Sequence, residues 1–262
     1  MLTMIVFVKQ VPGSDDLRLD PKTGKLNREG VDSIMNPYDA CAVEEALRLK
    51  AAHGGIIHVV TMGPPQAAAV LKEAIAMGCD RGYLLSDRAF GGADSIATGR
   101  TLAAAARKIG NYDLLLFGRC ASDAETAQTG PVTAELLDLP HATLVSCVEA
   151  KDGSLTVNRD LDNMEETVRL QMPAALCLTG DLNEPRQPDL VKLLLSDKAP
   201  IETWDAAALE VPAETVGKPG SPSITLRVFE PAPRDKNTEN FTGSPDEIAA
   251  RFADVLEQEH FI

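Results

Sequence analysis

Strand and helix signals alternate along the first half of the chain, which leaves few folds open. The strand signals fall at residues 4–8, 56–61, 82–85 and 113–117, each a short run of mostly apolar or β-branched residues. Helix signals lie between them and end at glycines such as Gly78 and Gly110. Such alternation produces parallel strands joined by right-handed crossovers. The sequence therefore predicts an α/β fold, with a Rossmann-like parallel sheet flanked by helices.

The helix starts are predicted from capping residues and prolines. Asp39 is expected to cap the first helix, Pro65 to lie at the start of the second, and Asp94 or Ser95 to cap the third. Pro131 suits the first position of a fourth helix over residues 132–139.

A different pattern begins beyond residue 140. Residues 155–157 and 167–170 predict a β-hairpin with Asp162 and Asn163 in its turn, and residues 174–179 predict one more strand. Residues 183–233 are proline-rich and mostly aperiodic, which indicates an extended arm, and Ser244 is expected to cap a final helix. We expect a nucleotide-binding domain over residues 1–182. The arm and C-terminal helix, residues 183–262, are expected to contact other subunits or partners.

Charge and cysteine usage disfavour several classes of function. The chain has 39 acidic and 25 basic residues, a formal net charge of −14, whereas a nucleic-acid partner requires a basic face. Its five cysteines form no CxxC or Cys/His cluster, which disfavours zinc, iron–sulfur and disulfide frameworks. We find no signal-peptide pattern and no apolar run near the roughly 20 residues of a membrane span. The expected location is the cytoplasm, with no nucleic-acid partner and no membrane insertion.

Ligand-type residues follow three of the predicted strands. Loops leave the sheet after Val8, after Thr61 and after Phe117, and residues 36–39 lie at a helix start on the same edge. Because ligands bind beyond the carboxyl ends of parallel strands, we expect these segments to converge on one site.

The loop at residues 118–131 is the strongest part of this site. Gly118 allows a sharp turn, Gly130 allows close approach, and Gln128 and Thr129 offer donors beside a helix start, which favours a phosphate. Two acidic residues in the same loop, Asp123 and Glu125, would repel a phosphate unless they face away or bind ribose hydroxyls. On these grounds alone an ordinary strand-to-helix turn is nearly as good an interpretation. Neither GxGxxG nor GxxxxGK[ST] occurs, which disfavours dinucleotide-fingerprint and P-loop chemistry.

Six segments, in order and at matching spacing, resemble the β subunit of electron transfer flavoproteins. They are residues 8–12, 35–39, 42–47, 77–81, 123–131 and 182–186, the last reading Leu182-Asn183-Glu184-Pro185-Arg186. The resemblance implies a heterodimer in which this chain buries an adenine nucleotide and a separate α subunit carries the redox FAD.

The resemblance also implies which residues contact the nucleotide. They are Phe7, Asn36, Pro37, Tyr38, Asp39, Met62, Asp123, Ala124, Glu125, Thr126, Ala127, Gln128, Thr129, Gly130, Pro131, Val132, Thr133 and Ala134. No catalytic residue and no metal ligand is implied, because the flavin carries the redox chemistry.

The identity of the nucleotide depends on details of the loops. Single-flavin members of the family hold AMP at this site, and electron-bifurcating members hold a second FAD. Residues 126–131 and Asp39 are more similar to the bifurcating group, as is the loop at residues 86–94, whose part 88–94 could line an isoalloxazine. Ala124 and Glu125 stand where that group more often has Gly and Asp. The resemblance thus favours FAD, with AMP as the alternative.

The arm departs from the family pattern. Leu190 matches a leucine that anchors partner dehydrogenases, but the lysine-rich run that usually follows is mostly missing from residues 191–200. A dedicated dehydrogenase recognised by apolar contact is the expected partner.

Two functions of other classes remain open from the sequence. A nucleotide-sensing or nucleotide-hydrolysing α/β protein would turn over ATP alone, and the missing phosphate motifs count against it. A stand-alone binding module would purify without an α subunit.

Overall fold

A computed structural model describes residues 1–13, 18, 19, 26, 27, 32–224, 226 and 238–262. The chain forms two compact units, Met1–Leu226 and Arg227–Ile262. The described residues from 183 to 224 thus belong to the first unit.

Strands outnumber α-helices among the described residues. The strands are β1 (Leu2–Phe7), β2 (Gln10–Pro12), β3 (Arg18–Leu19), β4 (Leu26–Asn27), β5 (Ser33–Met35), β6 (Gly55–Met62), β7 (Arg81–Leu85), β8 (Leu114–Gly118), β9 (His141–Lys151), β10 (Ser154–Leu161), β11 (Met164–Gln171), β12 (Ala174–Leu178) and β13 (Ile201–Trp204). The helices are α1 (Pro37–His53), α2 (Ala68–Met77), α3 (Ser95–Ile109), α4 (Thr129–Leu136), α5 (Leu190–Leu194) and α6 (Pro245–Gln258). Short 3₁₀ turns occur at Pro65–Ala67, Arg88–Phe90, Ser196–Lys198 and Ala213–Thr215.

Nine strands form one mostly parallel sheet, in the order β11-β10-β9-β12-β8-β1-β6-β7-β13. All neighbours from β9 to β13 in this order pair in parallel, while β10 pairs antiparallel with both β9 and β11. Two small antiparallel pairs, β2 with β5 and β3 with β4, lie outside this sheet. The predicted α/β fold and its hairpin are confirmed.

Each face of the sheet carries its own apolar core. Met4, Val6, Leu114 and Leu116 pack on the face that includes residues of α1 and α2. Alternate residues of the same strands, among them Phe7, pack on the other face with residues of α3 and α4. Because residues 4–7 of β1 and all of β8 are buried, these segments contain only apolar residues and glycine, as central parallel strands do.

The first helix begins at Pro37, and its cap lies three residues before the predicted one. Its N-cap residue is Asn36, followed by Pro37, whereas Asp39 lies in the first turn. Proline fits the first helical position because that residue's N–H has no partner there. The fourth helix also begins earlier than predicted, at Thr129, so Pro131 is its third residue. The predicted caps at Asp94 and Ser244 are confirmed.

The region predicted as an aperiodic arm contains two regular elements. Strand β13 extends the sheet beside β7, and the Trp204 ring at its end lies 4.5 Å, between centroids, from the Tyr83 ring. Helix α5 is a short helix of five residues, Leu190–Leu194. Residues 225 and 227–233 of the predicted arm lie outside the described residues.

Candidate functional site

The strand order reverses between β1 and β8, at the centre of the sheet. From β1 the chain adds β6 and β7 on one side, and then returns to place β8 and β12 on the other. Phe7 ends β1 and is the register partner of Phe117, the next-to-last residue of β8, and their rings stack with centroids 4.5 Å apart. Ligands of open α/β sheets bind at such a reversal, beyond the carboxyl ends of the strands.

Asn36 holds the loop that follows β8 by hydrogen bonds. Its side-chain N–H donates to the Cys120 carbonyl at 2.8 Å, and its side-chain oxygen accepts from the Ser122 N–H at 3.1 Å. Its own backbone N–H donates to the Lys9 carbonyl at 2.9 Å. The Asn36 side chain is fully buried, and this one residue ties the segments that follow β1 and β8 to the start of α1.

Asp39 makes a second buried link at the same place. Its carboxylate accepts from the Lys9 N–H at 2.8 Å and from the Gly118 N–H at 3.2 Å. A side chain at Gly118 would not fit, because its Cβ would lie 2.5 Å from that carboxylate. Burial raises the pKa of Asp39 to about 7, although hydrogen bonds from Asn36, Lys9 and Gly118 act in the opposite direction.

The two acidic residues of the loop differ in their surroundings. Asp123 forms an ion pair with the Lys9 side chain, so its charge is compensated within the chain. Glu125 is exposed to solvent. The repulsion that these acids would exert on a phosphate is therefore weaker than the sequence suggests.

The backbone of the loop alternates in handedness before α4 begins. Glu125 has φ 50° and Ala127 has φ 53°, both in the left-handed region, whereas Gln128 is right-handed. Non-glycine residues adopt this conformation at a cost in free energy, and residues that adopt it cluster at ligand sites. Alternating handedness turns neighbouring N–H groups toward one side, and this geometry binds anions. Gln128 does not cap α4 with its side chain, and the first N–H groups of any helix have no partner within it.

Gly130 lets the start of α4 press against the sheet. A Cβ there would lie 2.3 Å from the Cys177 sulfur and 3.3 Å from the Phe117 ring. The backbone at Gly130 thus makes the close approach predicted for this glycine, and the surface that it approaches is the carboxyl edge of β8 and β12.

The remaining predicted residues fall into three groups. Pro37 and Tyr38 lie in the first turn of α1, where the Tyr38 ring packs over Gly180, and Met62 ends β6 on the same edge. Ala124 and Thr126 are exposed in the loop. Val132, Thr133 and Ala134 lie in α4; the last two are buried, and a Cβ at Gly99 of α3 would lie 2.6 Å from the Val132 side chain. These three therefore hold α4 in place.

Leu190 lies apart from this loop, on α5. That helix packs against α2, and the Asp189 N–H donates to the Ala76 carbonyl at 3.2 Å. The α5 turn leaves a group of apolar side chains exposed, which we call the leucine ridge. Its members are Leu190, Val191, Leu193, Leu194 and Leu195.

The segment at residues 182–186 anchors the arm to α1. The Arg186 guanidinium donates to both carboxylate oxygens of Glu44, at 2.7 and 2.9 Å, and Asn183 donates to the Cys41 carbonyl and to Glu45. Glu44 is buried, and the hydrogen bonds from Arg186 lower its pKa even though burial acts to raise it.

Three residues that the structure places at the site were missed from the sequence. Lys9 pairs with Asp123, Phe117 stacks on Phe7, and Cys177 lies under Gly130. Lys9 could have been found, because it directly follows the first strand with a charge opposite to that of the loop. Phe117 and Cys177 have no signal beyond ordinary strand residues.

Two further features of the described residues bear on function. None of the described helices is long and apolar enough to cross a membrane. Within the same residues, no group of three or more His, Cys, Asp or Glu side chains is placed to hold a metal ion.

Comparison with known proteins gives a consistent result. Residues 23–209 match the family model described as the electron transfer flavoprotein domain. The caffeyl-CoA reductase–Etf complex subunit CarD of Acetobacterium woodii is 40% identical, and the alignment covers all of both chains. The electron transfer flavoprotein subunit beta of Thermoanaerobacterium thermosaccharolyticum is also 40% identical over both full lengths. Protein FixA of Azotobacter vinelandii is 38% identical over 90% of this chain and 86% of its own length.

Proposed function

This chain belongs to the electron transfer flavoprotein β-subunit family, and we propose that it binds FAD at the carboxyl edge of β1 and β8. In complex with an α subunit it relays electrons between a donor such as NADH and a partner dehydrogenase or low-potential acceptor. It acts in the cytoplasm, in keeping with five cysteines that are all free thiols.

The proposal depends mainly on the loop that Asn36 and Asp39 hold at the strand reversal. Their buried hydrogen bonds fix the loop's backbone before any ligand arrives, and a preformed site binds without an ordering cost. Phosphate oxygens would face the N–H groups around Gln128 and Thr129. The backbone at the strand ends Phe7 and Met62 would flank the adenine.

Either nucleotide would use this same edge. AMP and FAD share an adenosine phosphate, so the loop and strand ends suit both. The segments at residues 126–131 and 86–94 favour FAD, whereas Ala124 and Glu125 depart from the Gly and Asp that the FAD-binding group more often has. When bound, the flavin supplies the redox chemistry, and the chain supplies position, donors and exclusion of water.

The loop proposed to line a flavin ring is itself supported by the arm. The Lys218 N–H donates to the Gly91 carbonyl at 3.0 Å, and the Asp94 N–H donates to the Ser221 hydroxyl at 2.8 Å. Residues 88–94 are thus tied to residues 217–223, and the loop that they support follows the carboxyl end of β7.

Ligand analysis of the purified heterodimer tests the choice of nucleotide. Acid release followed by chromatography should give two FAD per heterodimer. One FAD with one AMP would replace the proposal by the single-flavin alternative, and neither nucleotide beyond the α-subunit FAD would refute the site.

We further propose that the leucine ridge docks the partner dehydrogenase by apolar contact. Leu190 is 69% exposed and Leu194 is 75% exposed, and clustered exposed apolar side chains mark interaction surfaces. A pull-down with Leu190→Ala should capture much less dehydrogenase than the wild type. Full capture by that variant would refute docking through Leu190.

A further inference from the structure

A cavity of about 630 Å³ lies between α3, the end of α4 and residues 208–215. We call it the α3 cavity. Three basic side chains line it, those of Arg100, Arg107 and Lys108, and apolar side chains such as Leu136 and Val211 form much of the remaining wall. Its volume lies within the range of about 300–1,000 Å³ that is usual for small-molecule sites.

The three cations are not neutralised by carboxylates within the described part of the chain. Arg100 donates through Nη1 to the Thr215 and Gly220 carbonyls, at 3.3 and 2.9 Å, and Arg107 donates through Nη2 to the Leu136 carbonyl. These bonds hold the guanidinium groups in position. They leave Nε and the second terminal nitrogen of each group as donors for something else.

Lys108 and Glu210 complete the charge pattern. The Lys108 ammonium lies 5.3 Å from the centre of the Trp204 ring, a cation–π contact. Glu210 is the one carboxylate among the lining residues. The cavity therefore concentrates positive charge in a chain whose net charge is −14.

We propose that the α3 cavity binds a small organic anion with an apolar body. The cations and their remaining donors suit a carboxylate, sulfonate or phosphate head group. The apolar wall suits a hydrocarbon or aromatic body. A site for an inorganic anion would need only the cations and not this wall.

The α3 cavity is separate from the nucleotide loop. Helix α4 begins at that loop with Thr129 and ends at the cavity with Leu136. The helix has eight residues, so its first and last are seven rises of about 1.5 Å, or roughly 10 Å, apart. The inference thus goes beyond the proposed nucleotide site and does not depend on it.

The fluorescent anion 8-anilinonaphthalene-1-sulfonate is a suitable probe for the full-length chain. Trp204 is the chain's one tryptophan, so energy transfer from it reports probe bound nearby. We expect a saturable signal whose affinity falls with added salt, because the attraction is electrostatic. The signal should persist when saturating AMP fills the nucleotide site.

Charge variants of opposite sign make the test specific. Lys108→Met should weaken probe binding about fivefold and Glu210→Gln should tighten it about threefold, as expected for nearby charges of partly exposed groups. Lys151→Met, at an exposed lysine on β9, is the matched control and should leave the affinity unchanged. If Lys108→Met and Glu210→Gln both bind like the wild type, or if AMP displaces the probe, the proposal is wrong.

Discussion

The loop at residues 118–131 and the leucine ridge show two opposite ways of presenting a surface. The loop is fixed by buried polar side chains from a distant part of the chain, chiefly Asn36 and Asp39. The ridge exposes apolar side chains and receives no comparable internal support, since none of its members is buried. A fixed polar loop suits a small ligand that enters a preformed site, whereas the ridge gains stability only when another macromolecule covers it. Substitutions should therefore damage stability at the loop and partner binding at the ridge.

The largest expected effect comes from the titration of Asp39. Its folded pKa of about 7 is above the ordinary value of 3.8, so the folded state holds a proton that the unfolded state loses. The contribution of Asp39 to stability is complete below pH 4 and is lost as the pH rises through 7. This amounts to about 1.4 kcal/mol for each pH unit between those limits.

Denaturant unfolding of wild type and Asp39→Asn between pH 4 and pH 8 measures this effect. Because the variant cannot titrate at residue 39, the difference between the two unfolding free energies isolates it. That difference should fall with rising pH and level off above pH 7. A constant difference would show that Asp39 is ionised throughout.

Asn36→Ala should be the most damaging loop substitution at fixed pH. It leaves the Cys120 carbonyl and the Ser122 N–H without their buried partner, which should cost about 3 kcal/mol. Chemical denaturation measures the loss. The partly exposed Asn158 serves as a control, where alanine should cost less than about 1 kcal/mol. Equal costs at the two sites would mean that Asn36 does not hold the loop.

Arg186→Met tests the anchor between the arm and α1. The substitution leaves the buried Glu44 carboxylate unpaired, and we expect a loss of about 2 kcal/mol because Arg186 is itself half-exposed. Glu44→Gln/Arg186→Met should recover part of that loss in the same unfolding measurement. If the double variant recovers no stability, the loss in Arg186→Met does not come from the unpaired Glu44 carboxylate.

Gly130→Ala tests how closely α4 approaches the sheet. The added methyl meets the Cys177 sulfur, and overpacking of this kind costs about 2 kcal/mol. Cys177→Ala removes that sulfur. The stability lost in the double variant should therefore be smaller, by about 1 kcal/mol, than the sum of the losses in the two single variants. Strict additivity in the double-mutant cycle would contradict the contact.

The ridge should respond least in stability. Leu190→Ala removes a side chain that is already exposed, and the unfolding free energy should change by less than about 0.5 kcal/mol. Retained stability together with lost dehydrogenase capture would complete the contrast with the loop. A clear loss of stability would instead mean that Leu190 packs within this chain.

Local patterns in the sequence predict much of the central sheet. The runs around β1, β6, β7 and β8 are apolar because both faces are buried, and capping residues such as Asp94 act within one turn. Long-range placement is harder to predict. Strand β9 was not predicted, and its alternation is interrupted where Leu144 has φ 57°. Strand β13 has only four residues and pairs with a strand more than a hundred positions earlier.

The candidate site divides in the same way. The convergence of three strand ends follows from parallel topology, so it could be predicted. The role of Asn36 could not, because an asparagine before a proline suggests a helix cap, while its side chain bonds to residues more than 80 positions away. The family resemblance identifies the segment at residues 182–186, but only the structure shows it as an ion-paired anchor to Glu44.

The two outermost strands of the sheet limit its growth. At one end β13 is short and carries the exposed Glu202, and at the other β11 carries Glu165 and Glu166, also exposed. An edge strand offers unpaired backbone groups to any neighbouring chain, and charge on it resists such pairing. Arg159 pairs with Glu166, so Glu165 and Glu202 are the carboxylates of these three for which no ion pair is described, and each places a negative charge at its edge. Addition of a further strand at either edge would therefore bring that charge against the incoming chain, which disfavours intermolecular β-structure.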